Sequence, residues 1–371
     1  MSGGDLRVNY SYLEEQFADV EPYLDDIRAL VKTGDFTLGK ALTEFEANFA
    51  RLMGLPYAVG VGTGTDALML SLKILGVGPG DEVITTPNTF VATVGAIAMT
   101  GARPVFVDNN DAYTIDVTRL EAAITTRTKA IMPVHLTGCP ADMPAIMEIA
   151  RRHNLIVVED AAKAILAAID GKSVGSWGAT AGFSLHPLKN LNIWGDGGVI
   201  VTRSAELADK LRLFRNHGMA TRDEIAFWSH NCRLDTLQAV VANRLLGQVE
   251  AITAQRIANA RRYDDALADV AQIRIPPRPA NVRQVYHTYV LRVQDRDRLY
   301  RQLLSQGVEA KIHYPIPLHL QKAAQHLGYR EGDFPVCEAD CRTILTLPVH
   351  QHLKPAQIEF TIDCLRKFYT R

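Results

Sequence analysis

Short apolar runs alternate with amphipathic stretches along the chain from about residue 57 onward. Seven of the apolar runs are mostly rich in valine and isoleucine without strict polar alternation, which is typical of strands buried on both faces. They lie at residues 57–61, 82–86, 104–107, 130–134, 155–159, 181–184 and 199–202. Helical periodicity separates several of them, at 66–75, 90–99 and 143–153. This alternation predicts an α/β fold with a mainly parallel, seven-stranded sheet sandwiched by helices.

The pattern changes after residue 202. Helical periodicity covers 205–215, and a longer stretch at 234–267 reads as one continuous helix. The segment RIPPRPAN at 274–281 contains three prolines and predicts a turn between domains. One strand at 288–293 and helices at 297–306 and 355–369 follow. We therefore expect a large domain over residues 1–250, whose first 30 or so residues pack on the smaller part, and an α+β domain over 251–371.

Composition narrows the classes of partner. The 40 basic and 41 acidic side chains nearly cancel, so there is no general electrostatic case for nucleic acid or an anionic membrane as partner. The N-terminus lacks the features of a secretory signal, and no apolar run is long enough to span a bilayer. The five cysteines have no CxxC spacing, which favours free thiols in a reducing cytoplasm and predicts no metal site.

A glycine-rich loop joins the first apolar run to an amphipathic helix at residues 60–67. Its glycines allow a tight turn, and a helix N-terminus offers free N–H groups to an anion. The loop formally matches the dinucleotide fingerprint, but Asp81 and Glu82 fall at the start of the next strand, where they cannot reach a ribose. The loop therefore reads as a phosphate cradle of another kind or as a plain helix cap with turn glycines.

Two further positions carry candidate chemistry. Asp160 stands where a buried strand ends, which is a usual place for ligands in parallel sheets, although aspartate also caps helices well. Lys189 follows Ser184 in a turn flanked by apolar and small residues. Lysine forms Schiff bases more readily when burial or a nearby cation lowers its pKa. A carboxylate, a confined lysine and a phosphate cradle together form the set that pyridoxal phosphate requires.

Four longer motifs extend this picture: GTGTDAL at 62–68, GPGDEVITTPNTFVAT at 78–93, PVHLTGCPADM at 133–143 and HYPIPLHLQ at 313–321. With them, nearly the whole chain resembles the nucleotide-sugar aminotransferases of the DegT–StrS family. The resemblance implies the aspartate aminotransferase fold (fold type I), pyridoxal 5'-phosphate with pyridoxamine phosphate as its alternate form, and a homodimer with shared active sites. It also implies L-glutamate as donor and a nucleotide-linked keto-hexose as acceptor, with amination at position 3 slightly favoured over position 4.

The resemblance assigns roles to single residues. Lys189 would be the Schiff-base lysine, Asp160 the partner of the pyridine nitrogen and Phe90 the aromatic side chain stacked on the cofactor ring. The phosphate would be bound by Gly64, Thr65 and Ser184, and by Asn231 from the partner subunit, and Asp66 would also belong to the cofactor-binding residues. Tyr314 and His319 would border the sugar site, although both are equally consistent with a packing role.

The chain departs from the family pattern at Lys163, where relatives usually carry glutamine and sometimes histidine near the phenolic oxygen of the cofactor. A lysine there would pair with that oxygen or point away from it. The alternatives are a pyridoxal-phosphate sugar dehydratase, an aminotransferase for a sugar without a nucleotide, a nicotinamide dehydrogenase that uses the Gly62 loop, and a non-catalytic regulator. The presence of Lys189 and Asp160 favours transamination.

Overall fold

The computed structural model describes residues 6–370. Its strands are β1 (Tyr57–Val61), β2 (Glu82–Thr85), β3 (Arg103–Phe106), β4 (Thr128–Ile131), β5 (Ile156–Asp160), β6 (Ala168–Ile169), β7 (Lys172–Ser173), β8 (Thr180–Ser184), β9 (Gly198–Thr202), β10 (Ile273–Arg274), β11 (Val282–Arg283), β12 (Tyr289–Val293) and β13 (Ile344–Leu347). Its α-helices are α1 (Leu13–Gln16), α2 (Glu21–Thr33), α3 (Lys40–Met53), α4 (Gly64–Ile74), α5 (Val91–Met99), α6 (Val117–Leu120), α7 (Met143–Arg152), α8 (Ala205–Phe214), α9 (Thr236–Leu246), α10 (Val249–Leu267), α11 (Arg296–Ser305), α12 (Pro335–Thr343) and α13 (Pro355–Tyr369). Short 3-10 helices cover Glu121–Ala123, Leu318–Leu320 and Lys322–Leu327.

The central feature is a seven-stranded sheet with the order β1-β9-β8-β5-β4-β2-β3. Strand β9 runs antiparallel to both of its neighbours, β1 and β8, and the other neighbouring pairs are parallel. Strands β2, β5, β8 and β9 bury nearly all their side chains, as the unalternating apolar runs require. The predicted mainly parallel seven-stranded sheet is confirmed.

The direction of these strands decides where a site can form. Strands β1, β2, β5 and β8 run the same way, so their carboxyl ends meet at one edge of the sheet. The glycine-rich loop, the Thr86–Phe90 segment, Asp160 and Ser184 all follow or end these strands. In parallel sheets this edge is the usual place for ligands.

Two expectations for the second half of the chain are wrong. The predicted continuous helix at 234–267 is two helices, α9 and α10, which meet at Gly247 and Gln248. Helix α9 packs on α2 and α3, whereas α10 packs on α13. Gly247 favours a break at this point, because glycine in a helix interior is about 1 kcal/mol less favourable than alanine. Instead of one strand, the region from residue 273 to residue 347 contains the sheet β10-β12-β13. Strands β10 and β13 are two and four residues long, too short to show a period.

The N-terminal segment reaches the later part of the chain. Val8 forms a parallel bridge with Val308 and is buried in the same apolar cluster as β12 and α13, whereas α2 and α3 pack against α9. The domain boundary near residue 250 stays a prediction. Within residues 6–370 no helix combines the length and apolarity that crossing a membrane requires.

Candidate active site

The start of α4 forms a pocket for an anion. Thr63 caps the helix, since its side-chain oxygen accepts the N–H of Asp66 at 2.9 Å. The N–H groups of Gly64 and Thr65, in the first turn, have no acceptor within the helix. They lie beside Ser184, because a Cβ added to Gly64 would stand 2.7 Å from the Cβ of Ser184. Two free N–H groups and a hydroxyl at a helix N-terminus suit a phosphate.

Asp160 ends β5 with its carboxylate buried and hydrogen bonded. Thr93 on α5 donates its hydroxyl to Oδ2 at 2.6 Å, and the N–H of Ala162 donates to Oδ1 at 3.2 Å. The preceding Glu159 points to the other side of the strand, where it accepts the N–H of Gly175 at 2.9 Å and faces His135 at 3.3 Å. These contacts fix the end of the strand, so Asp160 presents a carboxylate in a set orientation.

Lys189 lies in the turn after β8. Its N–H donates to the carbonyl of His186 at 2.8 Å, and its own carbonyl accepts the hydroxyl of Tyr12 at 2.9 Å. Burial and, to a smaller extent, the charge of Lys163 lower the pKa of Lys189 to about 7, while the charge of Asp160 opposes the shift. The amine is therefore uncharged in a large fraction of molecules near neutral pH, as a nucleophile or a general base requires.

Lys163 is the second amine of the site. Its Nζ donates to the hydroxyl of Tyr314 at 3.1 Å, and burial lowers its pKa to about 8 against the opposing effect of Asp160. The ring of Tyr314 lies 6.1 Å from that of Phe90, whose side chain is half exposed at the start of α5. A half-exposed ring beside the amines and the carboxylate can stack on a planar ligand.

Several residues of the site were not anticipated from the sequence. They are Tyr12, Thr93, Arg256 and His287; Thr93 ends the motif at 78–93, whereas no local motif marks the other three. His287 is close enough to both lysines for their charges to depress its pKa, and its buried Nδ1 has no hydrogen-bond partner among the described residues. Arg256 donates to the carbonyls of Tyr286 and His287, at 3.3 Å each.

Three residues proposed from the sequence, His319, Asp66 and Asn231, do not lie in the cluster formed by Asp160, Lys163, Lys189 and Tyr314. The His319 ring is buried 4.7 Å from that of Phe334, and its Nε2 lies 3.1 Å from Glu338, so it does not join the cluster. The carboxylate of Asp66 accepts the hydroxyl of Thr63 at 2.9 Å, which is the role of a cap.

Asn231 lies in the segment whose Cys232 carbonyl accepts the N–H of Gly62 at 2.7 Å, and its side chain is exposed. The reach of Asn231 to a partner subunit stays a prediction. The roles assigned to the other site residues from the sequence are likewise predictions that their positions make testable.

The residues present fit pyridoxal 5'-phosphate. The cradle at Gly64, Thr65 and Ser184 suits its phosphate, and Asp160 offers an acid for its ring nitrogen. The amine of Lys189 suits its aldehyde, and the unpartnered Nδ1 of His287 leaves a buried polar atom free for a ligand.

Comparison with known proteins agrees with this geometry. Residues 18–366 match the DegT/DnrJ/EryC1/StrS aminotransferase family. The chain belongs to this family. The family's aminotransferases depend on pyridoxal 5'-phosphate, and similar solved structures hold the cofactor in its pyridoxal or pyridoxamine form. The chain is therefore a transaminase that uses this cofactor.

Individual family members extend over the same length. The chain is 39% identical over 364 residues to a dTDP-3-amino-3,4,6-trideoxy-alpha-D-glucose transaminase of Streptomyces venezuelae, with 96% of each chain covered. It is 40% identical over 364 residues to a UDP-N-acetyl-3-dehydro-alpha-D-glucosamine 3-aminotransferase of Acidithiobacillus ferrooxidans, covering 98% of this chain and 96% of the relative. The crystal structure of S. venezuelae DesV superposes with a TM-score of 0.96 at 38% identity, covering 98% and 99% of the two chains. This similarity confirms the aspartate aminotransferase-like architecture.

Proposed function

We propose that the chain transfers an amino group from L-glutamate to the keto group of a hexose linked to a nucleoside diphosphate, with position 3 favoured over position 4. The observation that carries the proposal is the convergence, at one sheet edge, of Lys189 with its lowered pKa, the fixed carboxylate of Asp160 and the anion cradle at α4. Both relatives described above act at position 3 of a nucleotide-linked sugar, which supports the position and the nucleotide.

Pyridoxal phosphate supplies an aldehyde that accepts the amino group and a ring that stabilises negative charge on the reacting carbon. Asp160 would hold a proton on the ring nitrogen, and the hydrogen bond that it accepts from Thr93 fixes the direction of its carboxylate. The N–H groups at Gly64 and Thr65 orient the phosphate. Lys189 would hold the aldehyde, and its unprotonated Nζ would accept a proton from the donor carbon and later give it back as a general acid.

Several finer features belong to the same proposal. Tyr314 lines the sugar side of the pocket, because its hydroxyl is fixed by Lys163 and its ring lies near Phe90. The enzyme acts as a homodimer in which Asn231 of one subunit contacts the phosphate held by the other. It works in the cytoplasm, which suits five buried free cysteines, in a pathway that makes amino sugars for surface polysaccharides or glycosylated metabolites.

Borohydride labelling tests the cofactor site. The purified protein, reduced with borohydride and cleaved into peptides, is expected to carry the cofactor on Lys189. Lys189→Ala removes both the label and the turnover, whereas Lys163→Gln keeps the label on Lys189. Label found on Lys163 in the unmodified protein, or full turnover by Lys189→Ala, would contradict the assignment.

A substrate panel tests the reaction. The 3-keto and 4-keto hexoses of dTDP and UDP, and free keto-sugars, are offered with glutamate, and the aminated products are located by mass spectrometry and NMR. We expect amination of a nucleotide-linked 3-keto sugar. Dehydration without nitrogen transfer would identify the dehydratase alternative, and equal use of free sugars would remove the nucleotide from the proposal.

A further inference from the structure

Two partly buried lysines lie at the carboxyl edge of the sheet. Lys163 follows Asp160 at the end of β5, and Lys189 follows Ser184 at the end of β8. The two strands are neighbours, with Asp160 paired to Gly182. Within residues 6–370 neither amine has a carboxylate oxygen within 4.0 Å, although both feel the charge of Asp160. One carboxylate therefore faces two amines.

The two amines differ in the hydrogen-bond partners that stabilise their protonated forms. The Nζ of Lys163 lies 3.1 Å from the hydroxyl of Tyr314 and 5.2 Å from the centre of its ring. Burial raises the pKa of Tyr314, so its hydroxyl stays neutral and its oxygen accepts a hydrogen bond from an ammonium. The Nζ of Lys189 makes no hydrogen bond with a described residue, and only its backbone groups are paired.

We propose that Lys163 is a positioning residue that acts through its charge. It stays protonated while it donates to Tyr314, and its positive charge keeps Lys189 uncharged and ready to react. A cation held next to a lysine in a desolvated pocket disfavours a second cation there. The proposal rests on the proposed function, since it concerns the same pocket and the same Lys189.

The other charged and titratable groups around the pocket do not reverse this balance. His287 and His313 are held neutral because burial and the two lysines lower their pKa, and burial raises the pKa of Tyr10 and Tyr12. Arg256 on α10 adds a positive charge, and the pKa of His186 is lowered by burial and by Lys189. Asp160 remains the negative group facing the two lysines.

The charge balance has a chemical consequence. Lys189 gives up its proton to solvent more readily than Lys163, because the ammonium of Lys163 donates to Tyr314 whereas the Nζ of Lys189 has no hydrogen-bond partner among the described residues. The lone pair on Nζ of Lys189 is then available to take a proton from the donor carbon, and no separate base is needed to prepare it. Lys163 itself takes no part in the proton transfer.

The test is the pKa of the Lys189 amine in the full-length protein freed of cofactor. Competitive acetylation with acetic anhydride at a series of pH values, read by mass spectrometry of the Lys189 peptide, gives that pKa directly. Lys163→Gln is expected to raise it by about one pH unit or more, because a neighbouring cation is removed. Lys163→Arg keeps the charge and is expected to keep the pKa of Lys189 low. Lys172→Gln is the control: it removes the same charge from an exposed lysine on β7 and is expected to leave the pKa of Lys189 unchanged.

A second readout uses the cofactor-loaded protein. The pH at which the absorbance of the cofactor attached to Lys189 changes is expected to rise in Lys163→Gln and to stay near the wild-type value in Lys163→Arg. If Lys163→Gln fails to fold, Lys163→Met removes the same charge and is measured in its place. A purely structural role for Lys163 would leave both pH values unchanged or would move them alike in Lys163→Gln and Lys163→Arg.

The outcomes separate this inference from the proposed function. Wild-type protein labelled at Lys189 by borohydride, together with an unchanged pKa of Lys189 in the folded Lys163→Gln and Lys163→Met variants, overturns the inference alone. Absence of label from Lys189 overturns the proposed function. A raised pKa in Lys163→Gln that is also raised in Lys163→Arg assigns the effect to packing and overturns the inference as well.

Discussion

Gly64→Ala is the sharpest test of the phosphate cradle. The Cβ that alanine adds would lie 2.7 Å from Cβ and 3.2 Å from Oγ of Ser184, and the backbone of Ser184 is also within 3.2 Å. Such contacts are too short for carbon atoms, so either the start of α4 or the end of β8 must move. Both movements displace groups that we expect to hold the phosphate.

The size of the effect follows from the cost of overpacking. An extra methyl group in a tight contact typically costs about 1–3 kcal/mol. At about 1.4 kcal/mol per tenfold change, the affinity for pyridoxal phosphate is expected to fall by about 5-fold to 150-fold. The gain in helix propensity, about 1 kcal/mol for glycine to alanine, acts on folding and not on the phosphate.

The assay compares two ligands on cofactor-free protein. Pyridoxal phosphate and pyridoxal differ by the phosphate alone, so the ratio of their dissociation constants reports the cradle. We expect Gly64→Ala to raise the dissociation constant of pyridoxal phosphate relative to that of pyridoxal, while Gly247→Ala leaves this ratio unchanged. Gly247 ends α9 in a helical conformation, and nothing lies within 4 Å of an added Cβ there. Wild-type affinity for pyridoxal phosphate in Gly64→Ala would refute the placement of the phosphate.

Two further substitutions probe buried carboxylates through protein stability in urea. Thr93→Val removes the hydroxyl that donates to Asp160 and should lower the free energy of unfolding by about 1.5–3 kcal/mol. Thr85→Val is the control: it breaks a hydrogen bond to a backbone carbonyl and should lower the free energy of unfolding by about 0.5–1.5 kcal/mol. Equal losses would contradict a charged acceptor at Asp160. Glu46→Ala leaves the buried guanidinium of Arg215 without its carboxylate and should destabilise the protein by about 3–5 kcal/mol. A loss below about 1 kcal/mol would show that this pair behaves like an exposed one.

The sequence by itself determined the sheet and the residues at its carboxyl edge. A parallel strand buried on both faces must be apolar along its length, so each of the seven strands is visible as a run such as 57–61 or 199–202. Polar residues that end such runs, Asp160 and Ser184 among them, are visible for the same reason. These residue types already indicated pyridoxal phosphate, and the resemblance to a known family added a substrate class and roles for single residues.

The tertiary structure decided which distant segments complete the pocket. Tyr12 meets the turn of Lys189 across 177 positions of sequence, and Lys163 meets Tyr314 across 151. No local period encodes such contacts, because they depend on how helices and loops pack over the sheet. For the same reason His319, in the segment that carries Tyr314, turns into the core against Glu338. Tertiary packing also decides the break between α9 and α10, since α9 packs on α2 and α3 whereas α10 packs on α13.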